Sequence, residues 1–488
     1  MSENFIPGEV VIDSITLVNQ EGDVIDLKSI CGQIDIFESI NEGFLTGRLS
    51  IADGLGIFRR YKILGQEHIT IRYRAKLQHE FESGDFSVEK VFRVYKVSNM
   101  RAPEFHTYGY VLHIIEPKYL TCIRKRLSKV MRGSYSEILL QTLLKDAQFE
   151  KLPKNNRIDY WEETLPENQQ LICPNWSIAK LIDYIVENAN KGEDAVYKNS
   201  MFFYQTLIGG FKFMSLNQMV SGENDHVVEF DFLPRNFDID QENRGSNEPL
   251  GGQSTRILHF EIVQRGDTVK GISAGAYSSM LKTYDPIRKL EKEIVFDLGE
   301  NFKKKGKKHL SGFPLLRLDE DEVVHMGVVP LTDDEDYTYN EIGAELALNK
   351  SIDDRTFYRV NPTNAFSDKQ VLQDTSQYVG NEQMDSGMLE RNSMSIALSS
   401  HTYKVTIPAR TDMTSGMVVN LKLPGGVIDK NDEDILNDDR YLITHIHHVI
   451  NPQQARGTMV MNVVKESFAE DIRKVDPLKD YEGFKQDD

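Results

Sequence analysis

The chain has 488 residues, of which 40% are hydrophobic and 27% are charged, as in an ordinary globular protein. This length is too great for one hydrophobic core and predicts two to four domains. Acidic residues outnumber basic residues by 75 to 57, which gives a net charge of -18. An acidic surface repels phosphate backbones, so the composition argues against a protein that wraps nucleic acid. It is compatible with a smooth passage through which DNA slides.

The few cysteines predict a reducing compartment. Cys31, Cys122 and Cys173 are an odd number, lie far apart and form no CxxC pair, so neither a disulfide framework nor a zinc knuckle is expected. The start, "MSENFIPGEVVID", lacks a basic region followed by an apolar one, so no secretory signal is expected. No run of about 18 apolar residues occurs, so we expect no transmembrane helix.

Residues 8–118 predict a β-rich N-terminal region that ends at Pro117. Its apolar residues alternate or cluster in short runs that are split by Gly, Asn and Asp. The predicted strands are "EVVIDSITLV", "QIDIFESI", "LTGRLSIADG", "EHITIRYR", "EKVFRVYKVS" and "GYVLHIIE".

Two helices and a hairpin follow. Apolar residues recur at helical spacing in 134–147 and in 176–189. The inward faces are Ile138, Leu139, Leu143 and Leu144 in the first helix, and Ile178, Leu181, Ile182 and Ile185 in the second. The candidate N-caps are Ser134 or Ser136, and Asn175 or Ser177. Gly209 and Gly210 then separate two aromatic-rich runs, which indicates a hairpin.

The remainder alternates between polar segments and strands. Residues 235–256 predict a loop, and 257–300 return to mixed strand character. Residues 301–395 are polar with few apolar anchors and indicate an elaborated insertion of unspecified structure. Residues 402–466 again predict strands, before a charged tail that we expect to fray.

Two strand patterns occur at both ends of the chain. "FRVYKV" (92–97) matches "YLITHI" (441–446), and "YVLHII" (110–115) matches "MVMNVV" (459–464). The two patterns start 18 residues apart in each copy, from 92 to 110 and from 441 to 459. Upstream, "GQEHITIRY" resembles "GMVVNLKL" with one residue of slippage. The matched order and spacing predict a degenerate internal duplication.

The duplication bears on a cluster of histidines that could bind metal. In "YLITHIHHVI", His445 and His447 are two apart and share one face of a strand. The first copy carries Lys96, Ser98 and Asn99 where the second carries His445, His447 and His448. The strand therefore works without ligands in one copy, and no third ligand or supporting shell is recognisable. We predict a solvated or interface strand, with no metal and no cofactor.

Other motifs favour structural roles. "RGD" at 265–267 is expected to be a turn after a strand, and the acidic runs at 333–336 and 429–434 lack the spacing of a calcium loop. The basic run "KKKGKKH" at 303–309 lies close to "DEDE" at 319–322, which favours internal neutralisation or a partner contact over phosphate binding. The chain has no P-loop, GxSxG, HExxH or dinucleotide motif, so we predict no catalytic residues and no enzyme.

Four segments together resemble the central baseplate hub protein of contractile-tailed bacteriophages, whose fold also forms the N-terminal part of type VI secretion spike proteins. They cover about two thirds of the chain, whereas 290–395 match nothing in that family. The segments are "FLTGRLSIADG" with "LGQEHITIRYR"; "NWSIAKLIDYIVENA" with "FFYQTLIGGFKFMSL"; "SAGAYSSMLKTYDPIRK"; and "TYKVTIPARTDMTSGMVVNLKLP" with "DRYLITHIHHVI" and "GTMVMNVVKES".

The resemblance implies a mainly β, α+β fold with two related β-barrel tube domains in each chain. The expected boundaries are 1–118 for the first tube domain, 119–200 for a helix-containing domain, 201–265 with 397–468 for the second tube domain, 266–396 for an inserted domain, and 469–488 for the tail. Members of this family are homotrimers that form a ring of six barrels between the sixfold tail tube and the threefold spike.

The resemblance therefore implies a structural virion protein of the tail baseplate, assembled in the host cytoplasm. Its expected partners are two further copies of itself, the tail tube or tube-initiator protein, the central spike and the surrounding baseplate proteins. DNA is expected to pass through the lumen without specific binding, and membrane insertion is not expected.

Two alternatives remain open. One is the hub of a secretion-system or tailocin spike, against which no spike β-helix repeats follow residue 466. The other is a metal-dependent cell-wall hydrolase that uses His445 and His447, for which activity of the purified protein should be sensitive to a chelator.

Overall fold

The computed structural model describes residues 7–76, 87–101, 108–153, 156–165, 169–189, 200–221, 227–232, 255–285, 290–302, 309–314, 356–360, 382–423 and 439–468. Strands dominate these residues. They are β1 Val10–Val18, β2 Val24–Asp26, β3 Cys31–Ser39, β4 Thr46–Asp53, β5 His68–Ala75, β6 Val88–Arg101, β7 Tyr108–Ile115, β8 Arg126–Gly133, β9 Ile158–Trp161, β10 Gln169–Ser177, β11 Met201–Gln205, β12 Phe211–Ser215, β13 Val228–Phe232, β14 Arg256–Ile257, β15 His259–Arg265, β16 Ser278–Asp285, β17 Leu290–Asp297, β18 Phe313–Pro314, β19 Thr356–Val360, β20 His401–Pro408, β21 Val418–Lys422, β22 Asp439–Asn451, β23 Arg456–Lys465 and β24 Ser467–Phe468.

The helices are fewer and mostly short, so the predicted mainly β, α+β class is confirmed. They are α1 Ile57–Arg60, α2 Pro117–Arg124, α3 Tyr135–Gln141, α4 Ile178–Asn188, α5 Leu216–Ser221, α6 Thr268–Ala274, α7 Leu298–Phe302 and α8 Glu382–Ser400. The first predicted helix is α3, which Ser134 caps and which continues as a π-helical turn over Thr142–Asp146. The second is α4, which Ser177 caps.

The N-terminal strands form a six-stranded unit, which we call the first repeat. Its strands pair in the order β1-β5-β6-β7-β4-β3, and β2 extends the sheet beyond β1. Alternate residues of these strands face one apolar core that is almost entirely excluded from solvent, as in Ile15, Leu49 and Leu112. The alternation read from the sequence is the cause, because residues two apart share a face of the sheet.

The C-terminal strands repeat this arrangement in what we call the second repeat. Its strands pair in the order β13-β21-β22-β23-β20-β15, which is the order of the first repeat with each strand replaced by its later counterpart. It has a core of its own that includes Tyr403, Tyr441 and Met461. One pairing differs in direction, because β1 is antiparallel to β5 whereas β13 is parallel to β21.

The two repeats also agree in register up to Ser98, after which β6 has a second shift that β22 lacks. In the first, Arg93 pairs with Ile115, and the register shifts between Val94 and Lys96. In the second, Leu442 pairs with Val464, and the register shifts between Ile443 and His445. The bulge therefore falls at the position that the sequence match makes equivalent. The predicted equivalence of 92–97 with 441–446, and of 110–115 with 459–464, is found in the strand pairing.

Between the repeats lies a helix-containing region with a third core. In this region α3 and α4 pack with the two-stranded ribbon of β8 and β10 and with the sheet of β9, β12 and β11. The predicted hairpin at Gly209–Gly210 is β11–β12. This hairpin falls in the range 201–265 that was expected for the second tube domain. Its Phe203, Phe211 and Phe213 lie in the core of the helix-containing region, and β12 pairs with β9.

The expected insertion enters between two neighbouring strands of the second repeat. It leaves after β15 and returns at β20, and these strands pair with each other. In the first repeat, the equivalent strands β3 and β4 are joined by the short turn 40–45. The described part of the insertion contains the sheet β17-β16-β19 and the long helix α8, which contacts β16, β17 and β23.

We predict that Leu112→Ala and Met461→Ala destabilise the protein to a similar extent. The two side chains are fully buried at equivalent positions of the two repeats. Each substitution leaves a cavity and should lower the free energy of unfolding of its own repeat by about 2–5 kcal/mol. Denaturant midpoints, with hydrogen exchange read separately on the two repeats, measure the effect. Val24→Ala is the control because Val24 is 70% exposed. An effect no larger than that of the control would contradict the assignment of these cores.

Candidate functional site

The two repeats are joined by a pair of strands from opposite ends of the chain. Residues 34–39 of β3 pair antiparallel with residues 445–450 of β22, which merges both repeats into one 14-stranded sheet. We call this joint the seam. The strand "YLITHIHHVI" therefore lies inside the sheet, between β3 and β21 on one side and β23 on the other. This strand was predicted to be solvated or at an interface, and it lies within the chain's own sheet at the joint between the two repeats.

The imidazoles of the seam interact with β3. His447 Nε2 lies 2.8 Å from Asp35 Oδ1, and its ring stacks on Phe37 with ring centroids 4.5 Å apart. Gln33 donates a second hydrogen bond to Asp35. Burial alone would raise the pKa of Asp35, but the hydrogen bonds from His447 and Gln33 and the charges of His447 and Arg48 together lower it. The contact between His447 and Asp35 therefore holds β3 and β22 in one register, and the two side chains are engaged with each other.

No group of three or more His, Cys, Asp or Glu side chains suited to a metal occurs in the described part of the chain. His445 is half-buried and lies near Phe37, and burial lowers its pKa. The absence of a metal at His445 and His447 stays a prediction. Cys31, Cys122 and Cys173 are each buried and free of disulfides.

A carboxylate buried in the seam connects three segments of the chain. The side chain of Glu38 is inaccessible to solvent. Its Oε1 accepts hydrogen bonds from the amide and the hydroxyl of Ser415, at 2.5 and 2.8 Å, and its Oε2 accepts one from the amide of Leu207, at 2.9 Å. Leu207 lies in the β11–β12 turn and Ser415 between β20 and β21. Glu38 thereby ties both repeats to the helix-containing region.

The charge of Glu38 is retained although the group is buried. Burial alone would raise its pKa, but the neighbouring His448 ring and the hydrogen bonds from Ser415 and Leu207 lower it below its ordinary value of 4.5. His448 Nε2 lies 3.9 Å from Glu38 Oε2, which is too long for a hydrogen bond.

A second buried group fixes the β11–β12 hairpin to the first repeat. Lys90 of β6 is 1% exposed and donates hydrogen bonds to Asn156 Oδ1 and to the backbone oxygen of Gly209. Burial lowers its pKa to about 8. Nearby, Gln205 donates to Glu116 and accepts from the amide of Leu45. These hydrogen-bonded polar groups hold the three parts of the chain in one arrangement.

Close packing at the junction also depends on a glycine. Gly416 has a φ of +81°, in the left-handed region that favours glycine. A Cβ there would lie 2.2 Å from the hydroxyl of Tyr204, which belongs to β11. The second repeat can approach the hairpin because this position has no side chain.

The other sequence motifs lie away from the seam or outside the described residues. Arg265 ends β15, Gly266 has a φ of +76°, and Asp267 accepts a hydrogen bond from the amide of Lys270 at the start of α6. The predicted turn after a strand is thus confirmed for this tripeptide. The acidic runs 333–336 and 429–434, and 303–308 of the basic run, lie outside the described residues. In the part that the structure describes, no helix is long and apolar enough to cross a membrane.

Sequence reasoning missed the two buried charges. Alternation places Glu38 on the same face of β3 as the buried Ile36, and Lys90 on the same face of β6 as the buried Phe92, so the pattern marks both positions as core-facing although the residues are charged. Both faces of β3 are covered, because Ile36 and Glu38 are buried as well as Asp35. A single sequence does not show that the opposite face of β3, which carries Asp35, is covered as well.

No family model and no curated protein matches this sequence. Solved structures with a similar fold include a tail protein from Neisseria meningitidis MC58, at 8% identity over 93% of this chain and 96% of that one, with a TM-score of 0.49. A 43 kDa tail protein of prophage MuSo2 from Shewanella oneidensis has 10% identity over 93% and 98% of the two chains, with a TM-score of 0.46.

A component of the type VI secretion system of E. coli, c3393, has 6% identity over 95% of this chain and 78% of that one, with a TM-score of 0.39. The name of that structure notes its similarity to tail proteins gp27 and gp5 of bacteriophage T4. The solved structures to which this chain is similar thus carry the names of tail and secretion-system proteins, at 6–10% identity.

We predict that Glu38→Gln destabilises the junction. The amide of glutamine must turn its NH₂ group towards the donor of either Ser415 or Leu207, which leaves a buried donor unsatisfied. The expected loss in free energy of unfolding is about 1–3 kcal/mol. Denaturant or thermal unfolding measures it. Glu42→Gln is the control, because Glu42 is exposed in the turn that follows β3.

The same variant should also change the pH dependence of stability. The pKa of Glu38 is lower in the folded protein than its ordinary value of 4.5, so its contribution is complete above pH 4.5 and is lost as the pH falls through the folded value. Wild-type protein should therefore lose more stability than Glu38→Gln on acidification below pH 4.5. If the stability of the two proteins falls in parallel as the pH is lowered, Glu38 is not held charged in the folded protein.

Proposed function

We propose that this chain is a structural hub protein of a contractile tail baseplate, in which three copies form a ring between a sixfold tail tube and a threefold spike. The observation that carries the proposal is the seam, where two equivalent six-stranded repeats of one chain pair edge to edge through β3 and β22. A structural role needs no reacting group, and the described residues form a scaffold of buried contacts.

The geometry of the seam favours a ring. The first repeat contributes β3 to the seam, and the second repeat contributes β22. The counterpart of β3 in the second repeat is β15, not β22. The two repeats are therefore joined through different surfaces, head to tail. Head-to-tail joints generate rings when the rotation between units closes. Two repeats per chain and three chains give six similar units from one sequence, which is what an adaptor between sixfold and threefold partners requires.

We propose domain boundaries that follow the duplication. The first tube domain is 1–118, and the second combines strands of 227–265 with 397–468. The helix-containing domain extends from 119 to 221, because the β11–β12 hairpin shares its core. Residues 266–396 form the inserted domain, which is present once per chain and so three times in the ring.

The proposed partners are those of a tail hub. One face of the ring would seat the tail tube or its initiator, the other face the central spike, and the outer surface the surrounding baseplate proteins. The protein would act in the virion tail, without a cofactor, a metal or an enzymatic activity. Three chains of net charge -18 carry -54 in all, so a lumen that passes DNA without holding it is the expected state.

We predict that the purified protein is a trimer. Light scattering should give three times the chain mass of 55.9 kDa across micromolar concentrations. An obligate ring should bury more than roughly 2,000 Å² in total at each joint, so dilution should not dissociate it easily. Electron micrographs should show a threefold ring with a central hole. A stable monomer across the same range would count against the hub.

We also predict that the trimer binds double-stranded DNA weakly and with little dependence on salt. Each phosphate that a protein neutralises steepens the fall in affinity with salt concentration, and an acidic lumen neutralises few. Fluorescence anisotropy from about 50 to 200 mM salt tests this. A steep salt dependence would indicate a ring that grips DNA, and lysines of 303–308 would then be the first residues to replace.

A further inference from the structure

The seam uses only one of the two available edges in each repeat. In the second repeat, β21 pairs with 439–442 of β22, and β3 then pairs with 445–450 on the same side of that strand. In the first repeat, β5 pairs with the equivalent early part of β6, residues 88–93. Among the residues that the structure describes, no strand pairs with 96–101 on that side of β6. This is the first open edge.

The second open edge is β15. It is the counterpart of β3, because each is the last strand of its repeat and pairs with an equivalent neighbour, β20 or β4. The outer side of β3 is paired with β22, whereas no described strand pairs with the outer side of β15. Within the described residues, one chain therefore has one open edge of each kind.

Burial differs between the open edges and the edges already joined. Ile36 of β3 is 0% exposed, whereas Ile262, its counterpart in β15, is 44% exposed. The adjacent Val263 is 57% exposed. On the other strand, Ile446 is fully buried, whereas its counterpart Val97 is only half-buried. Equivalent apolar positions are thus buried where the seam is present and more exposed at the open edges.

We infer that the β6 edge of one chain pairs with the β15 edge of a second copy, in a joint that repeats the seam between chains. The inference rests on the proposed ring, and it specifies the strands that close it. A second copy is the occupant because the chain itself contains the matching pair of strands already joined. An exposed strand with unpaired backbone groups and apolar side chains needs such a cover to avoid non-specific association.

The seam also gives the register of this joint. His448 pairs with Ile36 and Val449 with Asp35. Counted from Ser98, which pairs with β7 as His447 pairs with β23, Asn99 takes the place of His448, and the pairing of β6 with β7 then shifts by one residue before Arg101. Ile262 and Glu261 occupy the positions of Ile36 and Asp35, and the pairing of β15 with β20 shifts between Ile262 and Gln264. Asn99 of one chain should therefore lie opposite Ile262 of the next, in an antiparallel pair of strands.

Cysteine cross-linking of the full chain tests the joint. In a chain that carries Asn99→Cys and Ile262→Cys, the two new thiols face each other only across neighbouring copies. Mild oxidation should convert most of the protein into covalent trimers on a non-reducing gel. The native thiols of Cys31, Cys122 and Cys173 are buried and should give little background.

The matched control places the second thiol out of register on the same strand. His259 is also exposed in β15, and three residues along a strand correspond to about 10 Å, which exceeds the reach of a disulfide. Asn99→Cys with His259→Cys should therefore cross-link at least tenfold less. A trimer by mass with no cross-link for the in-register pair would overturn the joint but leave the hub standing. A monomer by mass would overturn the hub itself.

A charge substitution gives an independent measurement. Ile262→Lys places an ammonium group in the closed joint and should raise the concentration at which the trimer dissociates at least tenfold. Val130→Lys is the matched control, because Val130 is 53% exposed on β8, away from both open edges. If the Ile262→Lys and Val130→Lys trimers dissociate at the same concentration, the joint is contradicted. This holds whatever effect the variants have on folding, which circular dichroism measures.

Discussion

The pairing of β3 with β22 is the contact on which the rest of the architecture depends. It turns two six-stranded repeats, each with its own core, into one continuous sheet. The backbone hydrogen bonds between strands supply the connection, and side chains then restrict it to one register. His447 with Asp35 and Phe37 does so at the surface of the seam. Glu38 does so inside it, where an unmatched donor or carboxylate would be costly.

The buried polar groups connect this contact to the helix-containing region. Glu38 and Lys90 both hydrogen-bond to the β11–β12 turn, from the seam and from the first repeat respectively. The hairpin is thereby held from two sides, and the angle between the repeats is restricted. A ring requires this restriction, because a small error in the angle at each joint accumulates around the circle. Polar groups suit the task, since they are satisfied in one arrangement only.

Much of the fold could be predicted from sequence, and the reasons are local. Alternation in 88–97 and 439–450, the serine caps of α3 and α4, and the Gly209–Gly210 turn all act through neighbouring residues. The repeat was visible because bulge and spacing were kept in both copies. The partner of β3 and the hydrogen-bond partners of Glu38 could not be predicted. Both lie on segments far along the chain, and no periodicity encodes that choice.

The seam also sets an order of events during synthesis. His447 and Asp35 are separated by 412 residues, so β3 leaves the ribosome long before β22 exists. At 5–20 residues per second this interval lasts roughly 20–80 s. During that time the first repeat can form its core, but the outer edge of β3 remains unpaired. The nascent chain thus presents an adhesive strand while it is being translated, and holding that strand apart from other nascent chains becomes a task for the cell's chaperones.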